Sequence, residues 1–272
     1  MDIVVLGPVD VTEMGVAVMP SAPKPRQVLA LLALRADQVV SVDTLVEELW
    51  DGAPPRSART TLQTYVVQLR DLIAAALPQG DPRTAKDVLC TTHGGYLLNT
   101  WHGSCDFAEF ERRAGLGYRA MDAGDFAGAA RQLREALALW SGSALADVQH
   151  GPSLEAHRKR LEEVRLCALD QRIDADLRLG RHRELLGELT VLVSRYRTHE
   201  NLHGQFMLAL HRSGRRSEAL EVYQRLRTAL VRERGLEPSA ALRRLQRSIL
   251  VTCPEPVNRP APAGAGRFGG QG

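Results

Sequence analysis

Arg56, Arg59, Thr60, Gln63, Thr64, Val67 and Arg70 stand in a stretch that holds no acid between Asp51 and Asp71. Leu62, Val66, Leu69 and Ile73 recur in it at helical spacing, so they form a buried stripe and leave the other set outside. Glutamine and threonine can hydrogen-bond base edges, arginine can reach guanine or phosphate, and an exposed valine can meet a thymine methyl group. The bland alternative is a solvated helix face, but such faces usually mix charge signs. Lys24 and Arg26 stand at the start of an apolar run, where helix-end amides and cations together favour a phosphate; solvent-exposed cations are the other reading. His93, beside Gly94 and Gly95, can contact a minor-groove edge or phosphate, or be a solvated loop histidine.

Other chemistry finds little support. His199 and His203 are four apart, and only His211 offers itself as a third ligand, so no metal site is expected. The adjacent pairs Glu47-Glu48 and Glu162-Glu163 are turned apart by a helix and read as solvated. No GxxxxGK[ST], GxSxG or HExxH occurs, so neither an enzyme nor a cofactor is expected. Cys90, Cys105, Cys167 and Cys253 lack metal-ligand spacing and read as reduced thiols. With no apolar run of transmembrane length and an acid in the opening MDIVVLG, the expectation is a cytoplasmic protein with no membrane partner. The formal net charge of +3 does not announce nucleic acid, and residues 1–100 hold 8 Lys or Arg against 11 acids, a net of −3. Any DNA contact must come from local placement.

The elements that would supply that placement are legible. The first 20 residues read as two or three short antiparallel strands, broken at Gly7-Pro8, Glu13 and Gly15. Pro25 suits a first helical turn, and Val28, Leu29, Leu31, Leu32 and Leu34 make a mostly buried helix. VVSV is a brief strand, and Asp43 is expected to cap DTLVEELW. Asp51, Gly52, Ala53, Pro54 and Pro55 form a stiff turn. The candidate recognition helix follows, then a loop at LPQGDPRTAK and a β-hairpin around His93-Gly94-Gly95. Strands, three helices and a terminal hairpin describe a winged helix-turn-helix, and the N-terminal sheet narrows it to the OmpR type.

From Cys105 to about residue 250 the periodicity is helical. Gly180 and Gly214 lie 34 residues apart in similar pieces, which is the tetratricopeptide period. Gly124 marks an earlier copy, with an insertion expected near SGSALADVQHGPS. The fold class is therefore mainly α with a small β component. Its expected parts are a winged-helix DNA-binding domain at 1–100, a tetratricopeptide-like all-α domain at 105–250, and a Pro- and Gly-rich disordered tail at 253–272.

PRQVLALLALRADQVVSVDTLVEELWDGAPPRSARTTLQTYVVQLRDLI, with GGYLL after it, resembles the Streptomyces antibiotic regulatory protein family (SARP). DFAEFE, the ALALW and GSALADV segments, and GRRSEALEVYQRLRTALVRERGLEPSAALRRLQRSIL resemble its bacterial transcriptional activation domain, so two modules agree over about residues 1–250. His93 departs from the arginine of many OmpR-type wings. The resemblance implies an activator of a secondary-metabolite, or antibiotic biosynthesis, gene cluster. It implies binding to direct repeats in double-stranded DNA near the promoter −35 region, dimerisation on DNA, and recruitment of RNA polymerase holoenzyme, with Asp51 to Pro55 as the polymerase contact. A tetratricopeptide adaptor whose winged helix binds protein is the alternative, and the net −3 of the first 100 residues supports it.

Overall fold

Gly7-Pro8 and the Glu13 to Gly15 turn divide the N-terminal apolar alternation into β1 (Asp2–Val4), β2 (Asp10–Glu13) and β3 (Val16–Ala17), paired antiparallel in the order β1-β2-β3. The computed structural model describes residues 1–101 and 103–251. Helix α1 (Pro23–Leu34) has prolines in its first turn, where no backbone donor is required, and buries Val28, Leu29, Leu31 and Leu32. Next come β4 (Val39–Ser41), α2 (Val42–Trp50), α3 (Ala58–Ala76), α4 (Ala85–Val88), β5 (Leu89–Thr92) and β6 (Gly95–Leu98). Strand β6 lies between β4 and β5 in a second antiparallel sheet. A Cβ on Gly95 would approach Val40 O to 2.3 Å, so that position excludes any larger residue as the wing folds back on β4.

Two local expectations are corrected here. Ser41, not Asp43, caps α2: its Oγ accepts from Thr44 N at 3.0 Å, while Asp43 lies in the first turn and pairs with Arg59. Within the expected loop, Thr84 N and Oγ1 both donate to Asp87 Oδ2 at 2.7 Å, which nucleates the one-turn α4.

Helices α5 (Asp106–Asp122), α6 (Phe126–Leu137) and α7 (Pro152–Arg178) follow, then α8 (Leu186–Arg195), α9 (Glu200–Arg212), α10 (Arg216–Arg234) and α11 (Ala240–Val251). Gly124, Gly180 and Gly214 adopt φ of 77°, 80° and 81°. In each turn the glycine amide bonds the carbonyl three residues back, and the following amide bonds the carbonyl five residues before it. The sequence repeat is therefore a repeat of turn geometry. The expected insertion between α6 and α7 carries no helix and instead lies along the connection from β1 to β2. Ser141 N bonds Leu6 O at 3.0 Å, Leu145 N bonds Val5 O at 3.1 Å, and Val9 N bonds Asp147 Oδ1 at 2.7 Å.

The chain divides into a compact unit Met1–Arg181 and a second from His182 onward. One hydrophobic core runs through the first unit from Met1 to Ala168, so the expected break at residues 100–105 falls inside it. Two carboxylates join its parts. Asp106 accepts from the amides of Val5 and Leu6 at 2.9 Å; burial raises its pKa, and those amides oppose the rise. Glu48, expected in solvent, is 1% exposed and accepts from Gly151 N at 2.6 Å, Ser153 N at 2.8 Å and Leu154 N at 3.0 Å. The helix does turn the adjacent acids apart, with Glu47 going to solvent and Glu48 to the orphan amides that begin α7. Glu162 is likewise half-buried, with its carboxylate on Ala144 N at 3.0 Å. In the second unit, α9 packs against α8, α10 and α11 over Leu202, Phe206, Met207 and Leu210. The expected tail at 253–272, with Cys253, lies outside the described residues.

Candidate nucleic-acid interface

Helix α3 buries Leu62, Val66, Leu69 and Ile73, and that burial fixes what its opposite side presents. Arg59, Thr60, Gln63, Thr64 and Val67 are exposed on the helix, and Arg56 is exposed just before it. Among the described residues Arg56 has no ion-pair partner. Arg59 Nη2 lies 2.8 Å from Asp43 Oδ1, but both side chains are more than two-thirds exposed, so the pair is weak and readily exchanged for another anion. Thr64 Oγ1 donates to Thr60 O at 3.1 Å, which leaves its lone pairs and methyl group facing outward. Val67 is 54% exposed, the accessibility that a methyl contact needs. Gln68 is exposed one turn beyond Thr64 and was missed in the sequence; continuing the step of four would have found it. Asp71, also exposed, marks the C-terminal limit of the acid-free face.

Arg70 has a different task from the base or phosphate contact expected of it. Its Nε and Nη2 donate to Leu89 O at 3.0 and 2.7 Å, and Nη2 also donates to Thr91 Oγ1 at 2.8 Å. It braces α3 against the first wing strand. The wing turn is held from the other side by Val42 N on Gly94 O at 2.9 Å, and His93 is exposed at its tip. Asp87, just before the wing, keeps its carboxyl below the usual range through bonds from the Thr84 amide and hydroxyl.

The cations at the start of α1 also diverge. Arg26 Nη1 bonds Asp147 Oδ2 at 2.6 Å and its Nε donates to Pro20 O at 3.3 Å, so the guanidinium ties α1 to the segment before α7. Lys24 Nζ sits 4.6 Å from the Trp50 ring centroid and has no carboxylate partner among the described residues. The turn after α2 is more open. Asp51 and Gly52 take φ of 46° and 80°, and every residue from Asp51 to Ser57 is exposed.

The histidines weighed as metal ligands have local duties. His199 Nδ1 accepts from Leu202 N at 3.3 Å as the cap of α9, and His203 Nδ1 donates to His199 O at 3.0 Å. Among the described residues no group of three or more His, Cys, Asp or Glu is arranged around a metal position. No described helix is long and apolar enough to cross a membrane.

Residues 105–250 match the family described as Bacterial transcriptional activator domain, and residues 18–98 match Transcriptional regulatory protein, C terminal. The chain is 51% identical over 250 residues to Regulatory protein DnrI of Streptomyces peucetius, covering 92% of each chain. It is 38% identical to Regulatory protein AfsR of Streptomyces coelicolor over 92% of this chain, but spans only 24% of that relative. A solved structure of Mycobacterium tuberculosis EmbR, in complex with a low affinity phosphopeptide, superposes with a TM-score of 0.83 at 33% identity, over 92% of this chain and 64% of that one.

Proposed function

The chain belongs to the Streptomyces antibiotic regulatory protein family of transcriptional activators, and from that premise we propose that it reads DNA sequence through α3 and activates a secondary-metabolite gene cluster. The observation that carries the reading is the exposed face of α3. It is acid-free up to Asp71, offers two glutamines and two threonines beside a valine, and sits between a short helix and a hairpin. In this reading α3 enters the major groove. Gln63, Thr64, Val67 and Gln68 face base edges, Arg56 and Arg59 face phosphates, His93 touches a neighbouring groove, and Lys24 approaches the backbone. Arg26 and Arg70 act indirectly, as braces for α1 and the wing.

Activation is assigned to the turn from Asp51 to Pro55, as the contact for RNA polymerase holoenzyme. Its support is full exposure, two left-handed residues and two prolines, which together hold a rigid projection carrying an acid rather than a phosphate-binding cation. The chain works in the cytoplasm, on direct repeats.

Footprinting on the promoters beside its own gene tests the binding half. A protected direct repeat is expected, and affinity for random duplex equal to that for every promoter fragment would sink sequence-specific reading. A protein-binding adaptor, favoured by the net −3 of the first 100 residues, would retard none of those fragments.

A further inference from the structure

Arg35 closes the C-terminal end of α1 half-buried, a setting in which a guanidinium ordinarily has a carboxylate against it. Among the described residues it has none. The hydrogen bond of its side chain runs from Nε to His157 Nε2 at 3.5 Å, the outer limit for such a bond, and requires that nitrogen to be unprotonated. Arg160, one turn along α7 from His157, reaches the same cavity; its guanidinium lies 5.0 Å from the Phe107 ring centroid and makes an exposed contact with Glu111 at 3.2 Å. The cavity measures about 420 Å³. Arg35, His157, Arg160 and Gln38 line it together with Leu34, Phe107 and Leu161, and no Asp or Glu is among these lining residues.

Like charges brought together in a partly enclosed pocket repel unless an anion lies between them. Burial, Arg35 and Arg160 hold the His157 imidazole below its ordinary pKa, against the opposing pull of Glu48. The same constellation becomes favourable once a dianion is shared. A phosphate would accept from both guanidinium groups and, once His157 takes up a proton, from its imidazolium as well. An attached ring or alkyl group would cover Phe107 and Leu161.

We propose that this cavity, between α1, α5 and α7, binds a small phosphate-bearing molecule, with its phosphate among Arg35, His157 and Arg160 and its apolar portion on Phe107. The ligand would join α1, which supports the DNA-reading helix, to two helices of the activation region. It needs neither DNA nor polymerase, so its test is separate from that of the proposed function.

The experiment uses the full chain with labelled histidines and follows the His157 imidazole by NMR from pH 5 to 8. Arms contain chloride, inorganic phosphate, phenyl phosphate or random duplex DNA at matched ionic strength. Phenyl phosphate is expected to raise the His157 midpoint by about one pH unit while leaving exposed His93 in place, and to bind more tightly than inorganic phosphate. Arg35→Gln and Arg160→Gln should each weaken phenyl phosphate binding by about tenfold, with Arg35→Lys recovering part of the loss. Exposed Arg160 supplies the decisive variant should Arg35→Gln fail to fold. An unmoved His157 midpoint with both phosphates overturns the proposal, as does an undiminished shift in Arg160→Gln. A shift with duplex DNA alone would assign the cavity to nucleic-acid phosphate and overturn the small-molecule reading.

Discussion

Gln63 and Thr64 differ from Arg56 and Arg59 in what their loss should do. A side chain that bonds a base edge contributes to one sequence, whereas a cation on phosphate contributes to all of them. We predict that Gln63→Ala or Thr64→Ala costs on the order of 1 to 3 kcal/mol on the cognate site and little on random duplex. Arg70→Ala, by contrast, should weaken both without lowering the salt slope by a full unit, because its guanidinium is spent on Leu89 O and Thr91 Oγ1. Parallel titrations against salt decide: equal cognate and random losses for Gln63 and Thr64 variants remove base reading, and a slope reduced by one makes Arg70 a phosphate contact after all. The acid-free face was legible because helical spacing alone sorts exposed from buried residues. The partners of Arg26 and Arg70 were not, since they come from Asp147 and from a strand brought alongside only by folding.

Elements were read well wherever a local signal fixed them: prolines at the start of α1, the apolar stripe of α3, glycines at the wing and at the three repeated turns. The misses share a cause. Glu48 looks like any surface acid until α7 delivers three unpaired amides to it from a hundred residues away. Glu48→Ala should leave those donors without their acceptor and remove one of the two acceptors of the Gln27 amide, which keeps Glu48 O at 2.9 Å, costing on the order of 3 kcal/mol. Thermal melting should then show a fall of several degrees, and an unchanged melt would reduce the contact to a surface cap. In the second unit, burial foremost, then the neighbouring His199 and Arg225 charges, hold the His203 imidazole below its ordinary pKa, while the His199 carbonyl pulls the other way. Folding therefore favours neutral His203. Its contribution is complete above pH ~6.5 and is lost as pH falls below that value. Stability of His203→Gln should decline less steeply than wild type between pH 7 and 5, the remaining slope including His182, which burial also holds low. Identical slopes would show that His203 protonates freely in the folded unit.

At the scale of the whole molecule, the charge and the core set the terms of assembly. A net of +3 on 272 residues gives little long-range attraction to DNA, and the first 100 residues are net negative, so a single winged helix depends on a few short-range contacts. Two copies on adjacent half-sites would make up the difference, because the second binds at the high effective concentration created by the first. Symmetry separates the two ways of pairing them. A two-fold dimer reads an inverted repeat with identical surfaces in contact, whereas head-to-tail protomers read a direct repeat with nonequivalent surfaces. The proposed function takes the direct repeat, and the continuous core of the first unit means that a docked α3 also sets the orientation of α5 to α7. Each protomer then presents the same helical face in the same direction along the duplex. We predict a protein that is largely monomeric when free and dimeric on DNA, with half-sites about one helical turn apart. Inserting about five base pairs between them should abolish cooperative binding, because half a turn moves the second protomer to the opposite side of the duplex, and inserting about ten should restore part of it. Gel-shift titration with the three spacings reads this directly. Cooperativity that survives the half-turn insertion, or a footprint on a strict inverted repeat, would replace the head-to-tail arrangement with a two-fold one.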